Sequence, residues 1–207
     1  MSLNPTFSFR RRVTHTTHPR TIYMLNKIMK SLKINIKVIN PFNYKTKAEV
    51  INLIPEKWNV IIQNTKTCSK MPGSKAFQNR KKSGICQCGV CAACILRQIS
   101  ILNSNKSEYD ANYIVPYNIS SLQEMLKYEL NNGIDIKKKD KISYYKFAEK
   151  QSLLQYYKEF QKKIFSGEIY KYLDLSPIFI ENSYRKEYDQ MLLKFSKEIE
   201  NYLSVQK

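Results

Sequence analysis

Apolar positions along this chain fall mostly at helical spacing. Ile22, Leu25, Ile28, Met29 and Leu32 share one helical face and predict a helix over 21–33. The pattern then changes. Ile34, Ile36, Val38 and Ile39 form a short, mostly alternating β-branched run that reads as a strand, stopped by Asn40-Pro41-Phe42-Asn43. Thr46 and Glu49 stand at N-cap and N3 spacing, a capping box that opens a short helix to about Leu53. Trp58 to Ile62 is apolar enough for a second strand or a packed helix. Residues 64–87 form a cysteine-bearing loop with Gly73, Gly84 and Arg80-Lys81-Lys82, and a helix is expected from about Cys91 to Leu102.

Further along, the pattern is helical. Ser121 with Glu124 is a second capping box, and Gly133 suits the C′ position of the helix it opens. Ile142, Tyr145, Phe147, Leu153, Leu154, Tyr157, Phe160 and Ile164 predict a long amphipathic helix over 141–165, ended by Gly167. Pro177 marks a turn, and a last helix covers about 183–203. Residues 1–20 have no amphipathic period and read as a basic arm or a truncated domain edge. No internal repeat is present.

Charge divides the chain more sharply than pattern does. The net charge is +18, yet residues 1–106 hold 19 Lys and Arg against two acids, Glu49 and Glu56, while residues 107–207 hold 16 against 15. A half-chain this basic attracts phosphates of nucleotides, RNA or DNA. The plainer reading is a sequence that spends Lys freely on solvated faces. No run approaches the about 18 apolar residues of a membrane span, and no apolar stretch follows the N-terminal arginines as in a secretory signal. A cytoplasmic protein is therefore expected, and in a reducing compartment clustered cysteines favour metal over disulfides.

The cysteines carry the clearest chemistry. Cys68 stands alone, and Cys88, Cys91 and Cys94 follow as C-x2-C-x2-C after 19 intervening residues. Four thiolates close a tetrahedral zinc site with no open position, which makes it structural. Gly89 allows the tight turn between Cys88 and Cys91, and Lys82 and Arg97 are placed to offset the formal −2 of a tetrathiolate zinc. An iron–sulfur cluster is the second reading, although no further cysteine follows Cys94 to complete a ferredoxin run. Ordinary buried or redox cysteines are the third. Cys86 is an alternative ligand to Cys88; Cys88 is preferred for its even spacing.

Other candidates are weaker. His15 and His18 are the only histidines and have no acidic neighbour in sequence. Arg10-Arg11-Arg12 could meet phosphate but reads first as a solvated run. Tyr144-Tyr145 and Tyr156-Tyr157 could stack on bases, yet their spacing beside Leu153 and Leu154 reads as core or interface. No Ser/His/Asp arrangement or paired-carboxylate site can be argued.

Thr17-His18-Pro19, Asn40-Pro41-Phe42 with Thr46-Lys47-Ala48-Glu49, and Cys68 followed by Cys88-Gly-Val-Cys91-Ala-Ala-Cys94-Ile-Leu-Arg97 together resemble the C-terminal half of 7-cyano-7-deazaguanine synthase-like proteins. These include relatives in anti-phage defence and belong to the ATP pyrophosphatase group. The resemblance spans about residues 14–115. It implies an adenine-nucleotide α-hydrolase-like domain: an α/β fold whose partial parallel sheet and edge zinc-binding loop occupy 21–115, followed by a mainly helical region over 116–207. It also implies a structural zinc on Cys68, Cys88, Cys91 and Cys94. The activity implied is ATP-dependent nitrile formation on a 7-deazaguanine carboxylate, a step towards queuosine.

The sequence departs from that family in one decisive respect. The S-G-G-x-D-S loop that cradles pyrophosphate is absent, and no Gly-Gly pair occurs anywhere in the 207 residues. The chain is therefore expected to be a fragment, a split subunit or a degenerate paralogue, with an N-terminal half or partner subunit supplying the ATP loop. The alternative expectation is a non-catalytic zinc-stapled basic module that binds nucleic acid.

Overall fold

In a computed structural model of the chain, residues 19–68, 87–113, 115, 117–119, 121–131, 140–172 and 182–206 are described. The amphipathic runs become helices close to their expected limits: α1 Pro19–Ser31, α2 Lys47–Asn52, α3 Val60–Asn64, α4 Ala92–Leu102, α5 Leu122–Asn131, α6 Asp140–Ser166, α7 Ile169–Tyr172 and α8 Asn182–Ser204. Short 3-10 turns cover Glu56–Trp58 and Ser107–Tyr109. The capping box at α5 forms as its spacing requires. The Glu124 amide donates to Ser121 Oγ and the Ser121 amide to Glu124 Oε2, both at 3.2 Å. Gly167 ends α6 with φ +75°, its amide donating to the Ile164 carbonyl. Gly73, Gly84, Gly133 and Pro177 lie outside the described residues.

The expected α/β sheet is overturned. Among the described residues there is no strand, and the one β-type pairing is an isolated parallel bridge between Gln87 and Tyr113. Residues 34–39 form no strand: the Ile34 amide donates to the Met29 carbonyl and the Ile36 amide to the Ile34 carbonyl, both at 2.9 Å, the latter a tight turn at Asn35, and no second strand lies beside them among the described residues. Instead the Asn26 side chain meets Val38 twice: the Val38 amide donates to Asn26 Oδ1 at 2.8 Å, and Asn26 Nδ2 donates to the Val38 carbonyl at 2.9 Å. The second candidate strand, Trp58 to Ile62, is helical. Asn59, buried between the 3-10 turn and α3, accepts a 2.8 Å bond from the equally buried Lys106. Alternation states a preference for extended backbone, whereas a strand also needs a partner.

The chain forms two compact units, one of Met1–Thr46 with Glu159–Ser196 and one of Lys47–Lys158 with Lys197–Lys207. In the first, Phe160 and Phe195 meet edge to face at 6.0 Å, as do Tyr44 and Tyr188 at 6.3 Å. The Tyr170 hydroxyl donates to Asp189, and the Arg185 guanidinium lies 5.0 Å over the Tyr170 ring. In the second unit, α2 packs on α4 through buried Ala48. Residues 197–204 of α8 bind the same helix: the Tyr202 hydroxyl donates to Gln98 Oε1 at 2.7 Å, and Asn103 Nδ2 donates to the Glu198 carbonyl at 2.9 Å. α4 is therefore the central element of this unit, with Ile95 and Ile99 wholly buried.

Candidate metal centre

Four buried sulfurs converge at the N-terminus of α4. Cys91 precedes its first residue and Cys94 lies in its first turn, so one helical start sets two of them on a common side. Cys88 joins through a tight turn at Gly89, whose φ is +78°. A Cβ at Gly89 would sit 1.9 Å from the Val115 carbonyl oxygen, so both the backbone conformation and the close approach require glycine. The Cys91 amide donates to Cys88 Sγ at 3.4 Å, and the Val115 amide to the Cys88 carbonyl at 3.3 Å. Cys68 arrives from the segment after α3.

The spacing of these sulfurs suits a metal. All four lie within 4.8 Å of one another, with Cys88 and Cys94 3.7 Å apart and Cys68 and Cys91 4.0 Å apart. A tetrahedron with metal–sulfur bonds of about 2.3 Å has edges of about 3.8 Å. A disulfide would bring one pair to about 2.05 Å, and all four cysteines are free thiols. Cys91 and Cys94 are fully buried and Cys68 and Cys88 nearly so, walled by Val90, Tyr113, Val115 and Ile119. The four residues form a group that could hold a metal ion.

Proton chemistry agrees with the geometry. A hydrogen bond from Cys88, aided by one from Cys94, pulls Cys68 down to about 6. The bond each makes with Cys68 holds the Cys88 and Cys94 thiols well above the ordinary range. Without a cation Cys68 is thus the favoured thiolate, while Cys88 and Cys94 keep their protons. Holding four thiolates in so little space requires a positive charge at their centre.

The arm bearing Cys68 is set by two residues whose partners are remote in sequence. Gln87 is fully buried; it accepts from Thr67 Oγ1 at 2.9 Å, donates to the Thr65 carbonyl at 3.2 Å, and has Cys94 Sγ 3.7 Å from its Oε1. Arg97, buried on α4, donates to the Ile62 carbonyl at 2.6 Å, to Thr65 Oγ1 at 2.7 Å, to the Thr65 carbonyl at 3.2 Å and to Asp110 Oδ1 at 2.9 Å. Its guanidinium therefore binds the chain that leads to Cys68, a positioning role beyond the charge offset expected of it. Asp110 in turn accepts from the Tyr113 hydroxyl at 2.9 Å. Lys150, wholly buried on α6, donates to the Tyr117 and Ile119 carbonyls at 3.0 and 2.7 Å and pins the loop over the cluster. Burial lowers its pKa to about 8, with Glu124 opposing.

Of the sequence candidates, the structure brings together Cys68, Cys88, Cys91 and Cys94, while the Arg97 guanidinium is bound to Ile62, Thr65 and Asp110. Tyr156 and Tyr157 are buried and meet edge to face at 5.6 Å, as core residues do. Cys86, Lys82, His15, His18 and Arg10 to Arg12 lie outside the described residues, as do the side chains of Tyr144 and Tyr145. Gln87 and Lys150 had no signal in the sequence, since a lone polar residue does not announce a remote partner. No helix among the described residues is long and apolar enough to cross a membrane. No family model matches the chain, and no match is found among curated proteins or solved structures.

Proposed function

We propose that Cys68, Cys88, Cys91 and Cys94 hold a structural zinc, and that the chain is the zinc-bearing portion of a 7-cyano-7-deazaguanine synthase-like enzyme. The observation that carries this reading is the way the motif segments meet. The helix from Lys47-Ala48-Glu49 packs on the helix from the cysteine run, and Arg97 at the end of that run binds the segment entering Cys68. These segments were joined in sequence only by their resemblance, and in space they make one polar-clamped unit. Four sulfurs leave no coordination position for substrate, so the metal would staple the unit while the chemistry occurs elsewhere.

On this reading a companion chain or segment brings the S-G-G-x-D-S loop. The reaction would be adenylation of a 7-deazaguanine carboxylate by ATP, then displacement of AMP by ammonia to give the amide. A second ATP would adenylate the amide oxygen, and loss of that AMP leaves the nitrile, with pyrophosphate released at each adenylation. The test is to purify the chain with the product of an adjoining reading frame that carries that loop. The mixture should contain one zinc per copy of this chain and release pyrophosphate from ATP only when 7-carboxy-7-deazaguanine is present. Pyrophosphate release that ignores the deazaguanine, or none at all, contradicts the enzymatic reading.

The crowding of positive charge into residues 1–106 favours one other reading, a non-catalytic module on nucleic acid. It requires RNA or DNA binding that weakens steeply with salt, as counterion release dictates. Binding insensitive to salt removes it.

A further inference from the structure

Helix α1 and the chain just beyond it carry aliphatic side chains that the metal centre does not use. Met24, Leu25, Ile28 and Leu32 follow one another at steps of one, three and four residues, so they share one side of the helix. All four are exposed, from 37% at Leu25 to 63% at Leu32, whereas Ile22, Asn26 and Met29 on the packed side are half-buried. The end of the helix is fixed by two bonds. Lys33, in the left-handed region at φ 56°, donates its amide to the Lys30 carbonyl at 3.1 Å, and the Ile34 amide donates to the Met29 carbonyl at 2.9 Å, the paired bonds of a Schellman end. Asn26 then holds Val38 by its two side-chain bonds, which keeps the following segment against the helix. Ile34, Ile36 and Ile39 on that segment are exposed as well. So many aliphatic side chains in one region do not normally stay in water together. Charge accompanies them. Lys27 and Lys30 on α1 and Lys33 and Lys37 after it are exposed and form no ion pair among the described residues, and residues 1–48 hold ten Lys and Arg and no acid.

We propose that α1 and residues 32–39 are a membrane-docking surface, which lays its aliphatic side into the interface of an anionic lipid bilayer while Lys27, Lys30, Lys33 and Lys37 meet the headgroups. Charge and apolar surface together identify the occupant. Nucleic acid answers the lysines and leaves the aliphatic side chains in water. A second copy of this chain sets lysine against lysine. A protein groove takes anchors spaced along one regular helix. Here the exposed aliphatic side chains continue past the helix end onto irregular chain, which a fluid acyl layer accepts without matching its shape. A stretch of 48 residues with no acid likewise suits a surface of uniformly negative charge. The helix lies on the bilayer and does not cross it: α1 has 13 residues, against about 20 for a span.

The inference is independent of the proposed enzyme, and its test needs only the full chain. Co-sedimentation compares vesicles of phosphatidylcholine alone with vesicles of phosphatidylcholine and phosphatidylserine. The chain should bind the mixed vesicles, leave them at high salt and ignore the neutral ones. Leu25→Gln with Ile28→Gln keeps both helix propensity and charge, and should weaken binding about tenfold or more. Lys27→Gln with Lys30→Gln should weaken it by a similar factor, about tenfold or more. Both double variants should retain the helical circular dichroism, because the four side chains are exposed. Equal binding to the two kinds of vesicle overturns the inference. No binding to either also overturns it and leaves a protein groove as the occupant. Weakening by the lysine variant alone overturns it by marking a general phosphate-attracting surface. A dimer in solution that the Leu25 and Ile28 variant dissociates, or loss of circular dichroism in that variant, overturns it by showing the face covered within the protein itself.

Discussion

The segment around the cysteines and the segment from Leu32 to Ile39 are both rich in β-branched residues, and the fold treats them oppositely. Around the cysteines, Ile95 and Ile99 are wholly buried, and the polar groups beside them, on Gln87 and Arg97, make hydrogen bonds to remote parts of the chain. From Leu32 to Ile39 the aliphatic side chains are largely exposed, and the backbone makes a tight turn at Asn35 where the Ile36 amide donates to the Ile34 carbonyl. The first segment behaves as a finished core and the second stays on the surface. Apolar content alone therefore does not mark the interior; polar satisfaction does.

The largest effect that separates the two regions should come from the metal. Structural zinc in small domains contributes about 10–16 kcal/mol of binding free energy. Cys91→Ser, or a strong chelator, should unfold the cysteine-bearing unit, seen as loss of far-ultraviolet circular dichroism. Survival of the full helical signal in metal-free protein would show that the core closes without the metal. Next comes Arg97. Replacing it with Met strands Asp110 and the Ile62 and Thr65 carbonyls and should cost about 3–5 kcal/mol in urea unfolding. A loss below about 1 kcal/mol would mean that Cys68 is positioned by the metal alone.

The pH dependence of metal capture is a further discriminator. Cys88 and Cys94 keep their protons in the metal-free cluster, because their pKa values lie above the ordinary range, and release them on binding. Affinity should therefore rise with pH, by about two logarithmic units or more per pH unit between pH 7 and 9, and fall away as acid restores the thiols. Competition against a chromophoric chelator measures the slope, and a slope near zero would mean the thiols are already ionised. The smallest effect belongs to the open segment: Ile36→Thr should change stability by no more than about 0.5 kcal/mol. A large loss there would place Ile36 in a core.

Much of this contrast was legible in the sequence, and the reasons for the rest are physical. The helices followed from apolar spacing, and the α5 cap from Ser121 and Glu124, because both are local. The grouping of Cys68, Cys88, Cys91 and Cys94 followed from spacing together with thiolate chemistry. The sheet did not follow, because Ile34 to Ile39 carries a preference for extended backbone, yet among the described residues its amides and carbonyls meet Met29, the Asn26 side chain and each other rather than a second strand. Trp58 to Ile62 was ambiguous on apolar content and was decided by Asn59 and its bond to Lys106, 47 residues away. Gln87 and Lys150 were illegible for the same reason, since their partners are found only once the chain has folded.

The central claim is a closed tetrathiolate zinc site, and X-ray absorption at the metal edge of the purified full-length chain tests it most directly. One zinc per chain, surrounded by four sulfurs at about 2.3 Å, is the expected result. Nitrogen or oxygen in the first coordination sphere, an iron edge, or no bound metal in a folded protein would contradict it.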